Sequence, residues 1–297
     1  MSHWRWVFAC LALALFGATS ACAQVKVEIS FERPDYLLFE SVEAKVRVSN
    51  LMGEPLDMAR MSGGKPWLNF YITTSDDDQI NRTEKEWKSP AMTLLPGEVK
   101  SLSINLMPWF LIRDTGDYRV VAEVTNRGNT YASRPAKFNV VNGPSIWSQE
   151  YTAPPDPKDP AKAMRPRFYS LHLHKIKEGH QLYLRIQNPE AHRVYCTLSL
   201  GDIVNYGDPK ARIDRMGNIH VMQQSGTRIF TYNEYSPMGK RLQTRFFSNV
   251  SSPPTMVASS DDETMIVGGE ELFEKDNEVN STVPTAPVGR APSEESK

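Results

Sequence analysis

The chain has 297 residues, 40% of them apolar and 23% charged, enough apolar material for two ordinary domains and too much for a chain disordered throughout. Its 34 basic and 35 acidic residues nearly cancel, so no basic field points to nucleic acid. Beyond the N-terminus there is no apolar run, polybasic stretch or amphipathic segment that would direct the chain into or onto a membrane.

The N-terminus, MSHWRWVFACLALALFGATSACAQ, has the three parts of a secretory signal peptide. Arg5 supplies the charge, Val7 to Phe16 the apolar stretch, and Ala21-Cys22-Ala23 the small residues before a cut ahead of Gln24. The competing reading, a lipoprotein anchored at Cys22, is weakened by Thr19, which stands where such signals carry leucine. Removal of residues 1 to 23 takes Arg5, Cys10 and Cys22, leaving 33 basic against 35 acidic residues, a net charge of −2, and Cys196 as the remaining cysteine. A mature chain with one cysteine forms no internal disulfide, which favours a bacterial periplasmic or secreted protein over a bridged eukaryotic domain. Cys196, within Val194-Tyr195-Cys196-Thr197-Leu198, reads as a small buried strand residue.

From Val25 the sequence alternates apolar and polar residues, in VKVEISFE and again at Val42, Ala44, Val46 and Val48. Further strands are predicted at 67–73, 102–106, 118–124 and 131–141. Turn chemistry separates them at Gly63-Gly64, Pro96-Gly97, Gly116 and Asn126 to Asn129. About seven short strands without a helix predict an immunoglobulin-like β-sandwich over residues 24–142. Asp114-Thr115-Gly116-Asp117-Tyr118 resembles the tyrosine corner of that fold, and Trp67 is placed as its buried tryptophan. The resemblance implies a fold and no activity.

Residues 143–167, with Pro144, Pro154, Pro155, Pro157, Pro160 and Pro166, read as a proline-rich interdomain linker, with Trp147 pinning its start to the first domain. A second all-β module is expected over 168–269. Its strands fall at 182–186, 194–200, 219–222, 228–232, 242–247 and 264–267. Asp214-Arg215-Met216-Gly217-Asn218-Ile219-His220-Val221 and the turn Ser236-Pro237-Met238-Gly239-Lys240 resemble a β-propeller blade, with a fainter copy at Asp262 to Gly269. A stretch of about 100 residues holds too few blades to close a ring, so a compact antiparallel module with blade-like hairpins is favoured over part of a ring completed by other chains. The whole arrangement resembles secreted bacterial proteins of uncharacterised activity, in which an immunoglobulin-like domain precedes a module of this Asp-x-x-x-Asn-x-His-Val kind. Residues 270–297 are polar, acidic and interrupted by proline, and are expected to form a disordered tail.

Three of the six histidines fall in Ser170-Leu171-His172-Leu173-His174-Lys175-Ile176-Lys177-Glu178-Gly179-His180. A two-residue turn at Glu178-Gly179 predicts a hairpin with Leu171, Leu173, Leu182, Leu184 and Ile186 on one face. His172 would then face Arg185, and His174 would face Tyr183, on a solvated or partner-facing stripe. His180 would lie on the other face, so no metal site is expected there, and Arg185 would repel a cation beside His172. His172, His174, Tyr183 and Arg185 are therefore the candidate binding face. His220 reads as a hydrogen-bonded strand residue and His192 as a loop residue, while Asp76-Asp77-Asp78 and Asp261-Asp262-Glu263 lack calcium-loop spacing and read as solvated turns.

No nucleophile elbow, zinc-protease helix, phosphate loop or dinucleotide fingerprint is present, and no cofactor is predicted. Aromatic residues crowd the second module at Tyr183, Tyr195, Tyr206, Phe230, Tyr232, Tyr235, Phe246 and Phe247. Most read as core, and any exposed set would suit a sugar or a partner protein. The expectation is an exported, non-enzymatic binding or assembly protein with an unknown protein or glycan partner. The competing class is a secreted hydrolase built on His172, His174 or His220.

Overall fold

The computed structural model describes residues 25–58, 66–153, 165–188, 190, 193–204, 209–259 and 263–272. The expected signal peptide, the expected Gly63-Gly64 turn, residues 154–164, His192, Tyr206, Asp261-Asp262 and the expected tail from 273 lie outside them. The described chain is all-β, without a helix, and divides into two compact units, 1–142 and 143–297.

In the first unit, alternation produces the strands the sequence predicts. It holds β1 (Val25–Phe31), β2 (Asp35–Leu37), β3 (Glu43–Asn50), β4 (Leu56–Asp57), β5 (Leu68–Thr74), β6 (Thr93–Leu94), β7 (Val99–Asn105), β8 (Gly116–Asn126), β9 (Asn129–Ala132) and β10 (Ala136–Val141). One sheet runs β1-β3-β7 and the other β2-β10-β8-β5, with β9 on β8 and a short β4-β6 pair. All pairs in these two sheets are antiparallel except β2 with β10. Ala44, Val46 and Val48 of one sheet and Leu68, Ile72, Val120, Ala122 and Val124 of the other are fully buried in a shared core, which makes the unit a β-sandwich.

Specific side chains fix this sandwich. The Tyr118 hydroxyl donates to the Asp114 carbonyl at 2.7 Å, the geometry of a tyrosine corner. Trp67 is buried, and its indole N–H donates to the Pro90 carbonyl at 2.8 Å. The single strand predicted over 131–141 is two, because Pro135 cannot supply a ladder N–H. Arg127 (φ 48°) and Gly128 (φ 83°) form the left-handed two-residue turn between β8 and β9.

The second unit begins where a linker was expected. β11 (Ser145–Ala153) pairs along its length with β12 (Arg165–Ile176), so 145–153 and 165–167 are strand. Trp147 and Tyr151 of β11 pack on the core of this second unit, not the first. The prolines hid a period of two carried by Trp147, Gln149 and Tyr151, and all but Pro166 flank β11 without entering it. β13 (Gly179–Asn188) and β14 (Arg193–Ile203) complete a four-stranded antiparallel meander, β11-β12-β13-β14.

The chain then repeats the pattern. β15 (Lys210–Ile213), β16 (Ile219–Gln224), β17 (Ile229–Tyr235) and β18 (Arg241–Ser248) form a second meander, followed by the hairpin β19 (Thr255–Ala258) and β20 (Thr264–Val267). β21 (Glu270–Leu272) returns to pair with β18, so the start of the expected tail is a strand.

Tyr169, Leu171, Leu182, Leu184 and Ile186 of the first meander share one core with Ile219, Val221 and Tyr235 of the second. Met256 and Ile266 of the hairpin pack on Met222, Tyr232 and Phe247, on the second meander's other face. Three sheets of four, five and two strands are thus packed in chain order, and no ring closes among the described residues. The Tyr169 hydroxyl donates to the Gly217 carbonyl at 2.7 Å, and the Gln223 amide donates to the Leu200 and Asp202 carbonyls at 3.0 Å each. Gly239 (φ 81°) lies so close to β14 that a Cβ there would stand 2.3 Å from the Cys196 sulfur.

Candidate functional site

The β12-β13 turn is Lys177-Glu178, one position earlier than expected, with Ile176 facing Gly179. His172 therefore faces Tyr183 and His174 faces Gln181, while Arg185 faces Ser170. A shift of the pairing by two residues preserves the faces, since side chains alternate with a period of two. The five apolar residues share the core face, and His172, His174, Tyr183 and Arg185 share the opposite one. That opposite face is not solvated: the four side chains are between 0% and 7% exposed.

Burial at this depth requires hydrogen bonds, and the partners fix the chemistry. A carbonyl only accepts, so the 3.0 Å contact with Gly143 makes His172 Nδ1 the protonated nitrogen. His172 Nε2 then accepts from the Ser170 hydroxyl at 2.9 Å. Both ring nitrogens are committed, and burial, reinforced by Arg185, holds the His172 pKa below its ordinary value against the opposing pull of the Gly143 bond. His174 lies edge-on to Tyr183, and the Arg185 Nε donates to Thr197 at 3.3 Å. Burial alone lowers the Arg185 pKa. This face is internal packing, and the expectation of an accessible binding stripe is corrected.

The second meander builds a tighter cluster. Asp214 opens the β15-β16 turn, where its Oδ1 accepts from the Met216 and Asn218 amides at 2.8 Å each and its Oδ2 accepts from the Asn218 side chain at 3.0 Å. His220 follows on β16, facing Glu234 across the β16-β17 pair. Its Nε2 lies 3.3 Å from Asp214 Oδ2 and its Nδ1 lies 2.7 Å from the Tyr232 hydroxyl. One ligating atom from each of Asp214, His220 and Glu234 falls within 4.8 Å of the other two. Burial drives the Tyr232 pKa well above the ordinary phenol value, with Glu234 adding to the rise, so the hydroxyl stays protonated. The sequence pointed to Asp214 and His220 as turn and strand residues. Glu234 carried no signal, because its approach depends on cross-strand register.

The Asp76-Asp77-Asp78 segment is a turn, closed by the Thr74 amide donating to the Asp78 carbonyl at 2.9 Å, and Asp77 forms a 2.6 Å ion pair with Arg119. A cleft of about 250 Å³ in the second unit is lined by Lys210, Met222, Gln224, Phe230, Pro253, Pro254 and Thr255, with neither histidine nor carboxylate among these described residues. On the outer face of the last hairpin, Val257, Met265 and Val267 are 38%, 51% and 53% exposed. Tyr183, Tyr232, Tyr235 and Phe247 are buried, and among the described residues Tyr71 of the first unit is the one exposed aromatic side chain. No described helix is long and apolar enough to cross a membrane.

No protein-family model and no curated protein matches the sequence. Among solved structures, the chain is similar to the alkylpurine DNA glycosylase AlkC of Pseudomonas fluorescens at 20% identity and a TM-score of 0.27, over 44% of this chain and 33% of that one. The chain thus spans about a third of the glycosylase's length. It is also similar to the sporulation control protein Spo0M of Bacillus subtilis, at 13% identity and a TM-score of 0.28, over 60% and 91% of the two chains. A third likeness is to the periplasmic chaperone SfaE, at 11% identity and a TM-score of 0.24, over 73% and 97%. None of these carries an assignment.

Proposed function

We propose that this is an exported, non-enzymatic binding or assembly protein of a bacterial envelope or extracellular space, and that its partner is a protein. The apolar outer face of the β19-β20 hairpin is the observation that carries the reading. Met256 and Ile266 point inward onto the second meander, while Val257, Met265 and Val267 on the alternate positions meet solvent. A strand that is apolar on both faces is costly in water unless the second face is covered, which is what a docking surface supplies.

A glycan-binding role is less well supported, because the second unit's described aromatic residues are buried or half-buried in place of forming an exposed stacking platform. A hydrolase on His172, His174 or His220 is disfavoured by the burial of all three, and among the described residues lining the cleft beside Phe230 there is no histidine or carboxylate. The N-terminal leader supports export.

Two measurements test the proposal. Mass spectrometry of the protein from its own envelope fraction is expected to find Gln24 at the N-terminus; an uncut leader, or a lipid on Cys22, overturns soluble export. Chemical cross-linking in that fraction is expected to join a partner protein to the wild type and not to Met265→Lys, whose circular dichroism stays unchanged. Identical cross-links from both would sink the hairpin as the docking face.

A further inference from the structure

We propose that Asp214, His220 and Glu234 form a binding site for a divalent transition ion of the zinc class. The inference goes beyond the docking role and does not rest on it.

One imidazole nitrogen and two carboxylates are a donor set that such ions accept, with an open position left for water or a fourth ligand. The 3.3 Å between His220 Nε2 and Asp214 Oδ2 is long for a charge-assisted hydrogen bond. It is close to the edge of about 3.4 Å that two ligands subtend around a tetrahedral ion with bonds near 2.1 Å. The Glu234 carboxylate completes the triangle, and among the described residues no hydrogen bond or ion pair holds it. Asp214 is anchored by its turn and His220 by Tyr232, so two of the three donors are positioned before any ion arrives.

The electrostatics permit a cation. Arg212 faces His220 across the β15-β16 pair, but two carboxylates outweigh one guanidinium. Arg245, opposite Tyr232, is already engaged by Glu271. Tyr232 is a positioning residue in this arrangement. In the ion-free state Asp214 accepts the proton on His220 Nε2, so Nδ1 accepts from the Tyr232 hydroxyl. Ligation through Nε2 needs its lone pair, so the ring proton moves to Nδ1 and the tyrosine oxygen becomes the acceptor.

The test uses full-length protein stripped with a chelator and titrated with Zn²⁺, with Mg²⁺ as the hard-ion control. Saturable one-to-one Zn²⁺ binding is expected, with a rise in Tm, and no response to Mg²⁺. Glu234→Gln should fold normally and weaken binding by at least about tenfold, and Tyr232→Phe by about tenfold. Nitrogen-15 spectra should show the His220 ring proton moving from Nε2 to Nδ1 on zinc addition, a change that a purely structural histidine would not make. Absence of zinc binding in the wild type, equal affinity in Glu234→Gln, or an unchanged His220 tautomer at saturating zinc would each overturn the site.

Discussion

The two units bury different chemistry behind the same kind of strand. Among the described residues, five buried polar or charged side chains belong to the first unit and eleven to the second, although the second has the smaller buried apolar clusters. The first unit is a two-sheet sandwich with one core between its sheets, so each strand needs only one apolar face. The second is a stack in which the middle sheet is covered on both sides, by the first meander and by the last hairpin. The inner faces of this stack carry buried polar groups, and Gln223, Asn233 and His220 sit where a sandwich would place valines.

Three experiments would break or sharpen this contrast. The largest effect is expected from deleting a fully buried leucine in either unit. Leu68→Ala in β5 and Leu184→Ala in β13 should each cost about 2–5 kcal/mol, read by denaturant unfolding and by amide exchange in the affected strands. Similar losses would mean that both units depend on their apolar layer despite the polar excess. A much smaller loss for Leu184→Ala would mean that the polar bonds carry the stack.

A smaller effect separates the units. Tyr118→Phe removes one hydrogen bond from the first unit and should cost about 0.5–1.5 kcal/mol. Gln223→Met strands the Leu200 and Asp202 carbonyls inside the second unit, and should cost more, about 1–3 kcal/mol. Equal costs in the two variants would remove the distinction.

The smallest effect is a pH dependence confined to the second unit, since residues 25–142 contain no histidine. Burial lowers the folded-state pKa of His172 below its ordinary value of 6.5. The unfolded chain therefore takes up a proton at that position first as the solution is acidified. The contribution is fully present above pH 6.5 and is lost as pH falls toward the folded value. Protection of the β12 and β13 amides, corrected for the intrinsic slowing of exchange in acid, should fall below that pH, and His172→Gln should flatten the response. Equal loss of protection in the first unit would show that another group governs it.

The strands of the sandwich were legible because one face is wet: Ala44, Val46 and Val48 alternate with Glu43, Lys45 and Arg47. The tyrosine corner was legible for a related reason, since the turn and the tyrosine are adjacent in sequence. In the second unit the alternation of Leu171, Leu173, Leu182, Leu184 and Ile186 gave the correct core face. It could not show that the histidine face is also buried, because His172, His174 and Arg185 alternate with the core residues as the residues of a wet face would. β11 was hidden by the prolines on either side of it, and β2, β4, β6, β15, β19 and β21 are two to four residues long, too short for a periodic signal. Of the ion-site residues, Asp214 and His220 lie in one recognisable turn, whereas Glu234 is joined to them only by the β16-β17 pairing.

The contact between Gly239 and Cys196 gives the second unit a chemical clock. Burial pushes the Cys196 thiol up to about 11, and Gly239 crowds one side of the half-buried sulfur. Lifting of the Ser236-to-Lys240 turn away from β14 should expose the sulfur further, so that alkylation quickens when the first two sheets of the stack come apart, without any probe having been added to the protein.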